Sequence, residues 1–119
     1  MKVTFIALPW LFSGPHFQTH EGYSQNLGIG YLASYIMDKG HEAAVIDGFA
    51  EGVDERNKLL FGTKTMYLYG LTGEEIANRI SDDTDIIGIT CPFNQQAPII
   101  PSVTKAIKAR HPDKLIVLG

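Results

Sequence analysis

Three stretches of the chain combine residue types that do chemistry. The first runs from Pro9 to Gly28 and holds Trp10, Phe12, His16, Phe17, His20 and Tyr23. About twenty residues is long against the ~2–6 of an ordinary strand-to-helix connection, and length of that kind usually carries function. Its aromatics suit a pocket for a large flat ligand, and they equally suit a loop that folds over a sheet edge and buries itself. The second, Ser24-Gln25-Asn26-Leu27-Gly28-Ile29-Gly30, opens a helical pattern. Gly28 and Gly30 permit close backbone approach, and a helix N-terminus favours negative charge. The same pair also serves close helix–sheet packing, and it is not a GxGxxG fingerprint. The third, Thr90-Cys91-Pro92-Phe93-Asn94, offers short polar groups in Thr90 and Asn94. Cys91 has no histidine near it in sequence, so an inert thiol is the commoner reading than a nucleophile. The four histidines are read without a metal site. His41 and His111 are expected at the surface, and His16 and His20 within reach of a ligand.

These stretches need elements to position them. Val3 to Leu8, Ala43 to Asp47, Asp85 to Thr90 and Lys114 to Leu118 are short Ile/Val-rich runs, read as strands buried on both faces of a parallel sheet. Leu27 to Lys39 reads as a helix, with Leu27, Tyr31, Leu32, Tyr35 and Ile36 expected on its buried face and Gly40 ending it. Thr72 and Glu75 form a capping-box pair before a second helix, with Leu71 and Ile76 as its hydrophobic staple. A third runs from about Ala97 to His111, with Pro98 and Pro101 in or before its first turn. Val53 to Phe61 reads as a short helix, and Thr63 to Tyr69 as extended chain or loop. The alternation predicts an α/β doubly wound parallel sheet of flavodoxin-like (Rossmann-like) type, strand order 2-1-3-4. Ligands of such sheets bind beyond the carboxyl ends of the strands, at the switch point. That rule selects the long first loop, the Asp47-Gly48 turn, Thr90 to Gln96, and Gly119.

Composition narrows the function classes. The 119 residues carry 10 Lys+Arg against 13 Asp+Glu, net −3. No basic excess exists to neutralise a phosphate backbone, so nucleic acid is a poor partner. One cysteine excludes an intrachain disulfide and a CxxC zinc site. No apolar run approaches the ~18 residues of a membrane span, and no signal peptide is recognisable, so a cytoplasmic domain without a membrane partner is expected. A receiver domain needs acidic residues after strands one and three, where Pro9-Trp10 and Thr90-Cys91 stand. A flavodoxin needs a short hydroxyl-rich phosphate loop, where this one is long and aromatic. The sequence stops at Leu118-Gly119, after an apolar run. Residues 1–119 are therefore expected to form a truncated domain without its fifth strand, with chains pairing at the open edge Leu115 to Leu118.

Four segments carry a resemblance to a known family. Residues 26–48 (NLGIGYLASYIMDKGHEAAVIDG), 69–80 (YGLTGEEIANRI), 85–94 (DIIGITCPFN) and 106–119 (AIKARHPDKLIVLG) together resemble the N-terminal cobalamin (B12)-binding domain of B12-dependent radical SAM proteins. That family includes methyltransferases and anaerobic magnesium-protoporphyrin ester cyclase-like proteins. The resemblance implies a corrinoid held at the carboxyl edge of the sheet. It implies that SAM and a 4Fe–4S cluster belong to a downstream radical SAM domain, since the three cluster cysteines are absent here. Cobalamin domains of the methionine-synthase type carry DxHxxG, whose histidine ligates cobalt. Here that motif falls on Tyr23 to Gly28, with Gln25 in the histidine's place, and a neutral amide is no strong cobalt ligand. By the resemblance, Gln25, Asn26, Leu27, Gly28, Gly30, Asp47 and Gly48 would border the corrinoid and its tail. Thr90, Cys91, Pro92, Phe93 and Asn94 would hold the nucleotide loop, and Gly119 would stand for the family's glycine pair. Trp10 would cover a corrin face. The fragment itself is not expected to be catalytic. Two other readings stand beside this one: a cobalamin-free structural or interaction module of the same fold, and a nucleotide-sugar-binding domain.

Overall fold

Alternation of apolar residues along the first strand divides the molecule into two unequal halves. The computed structural model describes residues 1–14 and 26–119. Strand β1 (Lys2–Ala7) lies at the centre of a parallel sheet between β3 (Glu42–Asp47) and β6 (Ile86–Thr90), and β7 (Leu115–Leu118) follows β6. Successive side chains of a strand point to opposite faces. Ile6 and Leu8 therefore face one way, and Phe5 and Ala7 the other.

On the first face, helices α2 (Gly73–Arg79) and α3 (Ile100–Arg110) pack on the sheet and on each other. Ile6, Ile87 and Ile89 meet Ile76 and Ile80 at the α2 segment and Val103 and Ile107 of α3 in one buried cluster. The capping box of α2 is formed as expected. The Glu75 N–H donates to Thr72 Oγ1 at 3.3 Å, and the Thr72 N–H donates to Glu75 Oε1 at 3.2 Å. Leu71 and Ile76, the staple pair, are both fully buried. Pro101 sits in the first turn of α3, where no intrahelical N–H is lost. Pro98 lies just before it, in a 3-10 segment spanning Asn94–Ile99.

On the second face lies α1 (Leu27–Asp38). Its contact residues are Ile29, Ala33 and Ile36, which pack on Val3, Phe5, Ala7 and Ala43. This corrects the expected buried face. Leu27, Tyr31, Leu32 and Tyr35 are exposed, at 69%, 77%, 50% and 63%. The helix has two apolar stripes at helical spacing, and the narrower one, with Ala33, is the one that fits against the sheet. Beside α1, Gly88 makes room for Phe5: a Cβ there would meet the Phe5 ring at 3.1 Å.

Three further strands form a second, antiparallel sheet in the order β2-β5-β4. They are β2 (Trp10–Phe12), β4 (Arg56–Phe61) and β5 (Lys64–Tyr69). Two sequence expectations are corrected here. The stretch from Val53 to Phe61 is not a helix; the helical turn is Ala50–Gly52, and Arg56 onward is strand. The loop after β1 contains β2, whose Trp10 pairs with Tyr69. Gly62, in the left-handed region at φ 63°, turns β4 into β5. Counted along the whole chain the parallel order is β3-β1-β6-β7 rather than 2-1-3-4, because β2, β4 and β5 belong to the other sheet. The edge strands β3 and β7 are also more exposed than strands buried on both faces; Val45, Leu115, Val117 and Leu118 are all open.

The two sheets meet at a backbone contact. The Leu71 N–H donates to the Gly48 carbonyl at 2.7 Å, and Gly48 N–H to the Ala7 carbonyl at 2.8 Å. Gly70 has φ +120°, and a Cβ on it would collide with the Gly48 carbonyl oxygen. Only glycine meets both demands at position 70. No helix among the described residues is long and apolar enough to cross a membrane.

Candidate functional site

The parallel strands β1, β3 and β6 end together, and the chain leaves β1 for β3 on one side and returns to β6 on the other. A cleft of about 200 Å³ opens at that point. Ala7 and Leu8 form its base, where β1 ends. Trp10, Phe49 and Phe93 supply aromatic wall, Asn26 and Leu27 the start of α1, and Asp47, Thr90, Pro92 and Gln96 the remaining rim. The position is the one that the switch-point rule selects.

Each wall is fixed by its own element. Trp10 is held in β2 and packs with its ring centroid 4.9 Å from Phe93 and 5.8 Å from Phe12, with Phe49 edge-on at 6.5 Å. Asn26 caps α1: its Oδ1 accepts from the Ile29 N–H at 3.2 Å. Its Nδ2 donates to Thr90 Oγ1 at 3.3 Å, tying the start of α1 to the end of β6. The Asp47 carboxylate accepts from the Phe49 and Ala50 N–H groups at 3.1 and 3.0 Å, which fixes the turn that presents Phe49. Gln96 comes from the 3-10 segment after β6. Its Nε2 donates to the Leu8 and Pro9 carbonyls at 3.1 and 3.2 Å.

Of the residues singled out in the sequence, Trp10, Asn26, Leu27, Asp47, Thr90, Pro92 and Phe93 line this one cleft. Gly28 and Gly30 follow on α1 outside it, and a Cβ on Gly30 would meet nothing within 4 Å. Gly48 is packed against the end of β1 instead. Cys91 donates its thiol to the Phe93 carbonyl at 3.6 Å and leans on the large core cluster. Asn94 begins the 3-10 segment, and Gly119 is bonded to Ile89 and Cys91 beside β6. Gln25, His16 and His20 lie outside the described residues. His111 is corrected from surface to interior: it is buried and its Nε2–H donates to the Ala77 carbonyl at 3.1 Å. Among the other lining residues, Phe49 was legible as the apolar residue after Asp47-Gly48. Gln96 ends the Thr90 to Gln96 segment that the switch-point rule selects, though only burial distinguishes it from Gln95.

No group of three or more His, Cys, Asp or Glu among the described residues is arranged to hold a metal ion. Among the described residues, the titrations that depart from ordinary lie away from the cleft. A hydrogen bond with the Glu75 carboxyl raises Glu55. Burial pushes Glu75 up, but hydrogen bonds from Thr72 and Glu55 hold it below the usual range. At the opposite end of the sheet, Asp83 is lowered and Lys2 raised by their mutual hydrogen bond.

The chain is similar to a methyltransferase. Over 94 residues it is 28% identical to the cytidylyl-2-hydroxyethylphosphonate methyltransferase of Streptomyces wedmorensis. The match covers 78% of this chain and 17% of that protein, so the chain spans about 17% of the length of the curated relative it matches. No family model matches the chain, and no solved structure matches it.

Proposed function

We propose that this domain binds a corrinoid, serving as the cobalamin-holding part of a larger methyl-transferring protein of the radical SAM type. The observation that carries the reading is the cleft at the carboxyl ends of β1, β3 and β6. Its lining is aromatic with few polar groups, as small-molecule sites are. The similarity to a methyltransferase supports the same direction.

The residues present fit the group in kind. The cleft offers flat apolar wall in Trp10, Phe49 and Phe93 and neutral hydrogen-bonding groups in Thr90 and Gln96. Gln96 Oε1 is buried and has no partner among the described residues. A volume of about 200 Å³ suits one arm of a corrinoid, such as its heterocyclic base, rather than the whole macrocycle. When bound, the corrinoid supplies a cobalt centre that carries a methyl group. The chain's own residues bind and orient. Trp10 and Phe93 exclude water from one side of the cleft, Thr90 offers a hydroxyl to the bound arm, and Asn26 holds Thr90 to the start of α1.

The test is titration with hydroxocobalamin, followed by visible absorption and by the fluorescence of Trp10, the lone tryptophan. Retention of the coloured corrinoid through gel filtration, with quenched Trp10 emission, is the expected result. A folded chain that retains none overturns the reading in favour of a cofactor-free module.

A further inference from the structure

Helix α1 is apolar on every side, not only on the side that packs. Residues 27–37 contain no charged side chain. Ile29, Ala33 and Ile36 meet the sheet, while Leu27, Tyr31, Leu32 and Tyr35 are exposed. A helix without a polar face belongs to an interior. Its glycines point the same way. A glycine inside a helix costs stability relative to alanine, yet a Cβ on Gly30 would meet nothing within 4 Å, and one on Gly28 only the Asn26 side chain at 3.4 Å. The sheet beneath is covered over only half its width on this face. α1 lies over β3 and β1. Register puts Ile86 and Gly88 of β6 on the same face as Val3 and Phe5, with Leu115 and Val117 of β7 beside them. No described helix lies over β6 and β7 there, and Leu115 and Val117 are 59% and 50% exposed. This bare half is two strand spacings wide, about 10 Å, which is one helix diameter. With the right-handed crossover that βαβ units take, helical spacing turns Gly28, Leu32 and Tyr35 toward it. The face is therefore an apolar ridge beside an apolar trough of matching width.

We infer that α1 and the bare half of the sheet form an interface with a second copy of this chain. A two-fold axis parallel to the strands sets the ridge of each copy in the trough of the other. Two helices then lie side by side between two sheets. Gly28, Leu32 and Tyr35 of one copy meet the same residues of the other near the axis. Leu27 and Tyr31, on the side of α1 away from its own sheet, cover the other copy's trough floor of Leu115 and Val117. Ridge and trough belong to one sequence, so filling one fills the other. That self-complementarity selects a second copy over an unrelated apolar helix. Pairing through the open β7 edge would leave both α1 and the trough bare. The arrangement does not depend on what the cleft binds, and it opens both clefts at the same end of the dimer.

The test is sedimentation equilibrium of the whole chain from about 1 μM to about 1 mM. Two narrow ridge-in-trough contacts make a small interface. A monomer–dimer equilibrium with Kd on the order of 10–100 μM is expected, leaving the chain monomeric at the low micromolar concentrations of unfolding assays. Leu32→Glu places a charge on the flank of α1, and Val117→Glu places one on the trough floor. Each should weaken association at least about tenfold, because the charge is buried without a partner in the dimer. Leu32 is exposed in the monomer, so Leu32→Glu keeps the parent's circular dichroism and decides even where Val117→Glu does not fold. A parent chain that stays monomeric at about 1 mM overturns the inference. So does a dimer that either folded variant leaves intact, since that dimer pairs through another surface, such as the β7 edge.

Discussion

The two faces of the parallel sheet are built to different depths. Under α2 and α3 lies a cluster of fourteen buried residues that also takes in Leu11 of β2 and Leu68 of β5. Under α1 the buried cluster is Phe5, Ala7 and Ile29, with Val3, Ala33, Ile36 and Ala43 partly buried around it. The apolar area removed from water sets the stabilisation, at ~25 cal/mol per Å², so the first face holds the fold together. The second face holds α1 lightly, by one narrow stripe and the Asn26 cap. The cleft lies where that lightly held helix begins. A binding site at the margin of the weaker face draws its rigid wall from the strong face, through β2 and Gln96, and its adjustable wall from α1.

The largest effect is expected at the junction of the two sheets. Gly70→Ala faces both a disallowed φ and the Gly48 carbonyl. It should cost on the order of 4 kcal/mol or prevent folding, as read by urea unfolding. An unchanged midpoint would mean that the two sheets are not locked together there.

Next comes the direct contrast between faces. Ile87→Ala, in the large cluster, should destabilise by about 3–4 kcal/mol. Ile36→Ala, on the contact stripe of α1, is partly buried and should cost about 1 kcal/mol. Equal losses in denaturant titrations would mean that the two faces contribute alike.

A smaller effect sharpens the assignment of the α1 stripes. Tyr31→Lys should shift stability by less than about 0.5 kcal/mol, because Tyr31 is exposed. Had the Leu27, Tyr31 and Tyr35 stripe been the contact face, the loss would be several-fold larger in the same assay.

The smallest effect is a pH dependence far from both clusters. Lys2 and Asp83 hydrogen-bond at 2.8 Å on the surface. The lowered Asp83 adds stability that is present above its ordinary value of 3.8 and is lost as pH falls through its folded value. The raised Lys2 adds stability that is present below 10.5 and is lost as pH rises through its folded value. Thermal melts should therefore show Asp83→Asn below the parent at pH 7, with the gap closing as pH falls below the ordinary value of 3.8 and through the lowered folded one. A gap that widens on acidification would reverse the assignment.

Much of this was legible without coordinates. The four parallel strands, the three helices and the Thr72–Glu75 box all follow from short β-branched runs, helical spacing and cap chemistry, which are local properties. The carboxyl-edge rule then gathered eight of the cleft residues, including Trp10, Asn26 and Thr90. What escaped was non-local. The Arg56–Phe61 strand carries Leu59, Leu60 and Phe61 in a run that fits helix or strand equally, and its partner at Lys64–Tyr69 decides for strand.

By itself, then, the sequence determined which segments are strand or helix wherever the local pattern is unambiguous, and which end of the sheet could hold a ligand. Tertiary structure alone decided which stripe of α1 meets the sheet, since two stripes have the same period and only fit against Phe5 and Ala7 separates them. It alone decided that Gln96 rather than Gln95 is buried, and that its amide is fixed by two carbonyls from the end of β1. Burial and pairing depend on residues nearly ninety positions apart in the chain, and no local pattern encodes a contact of that separation.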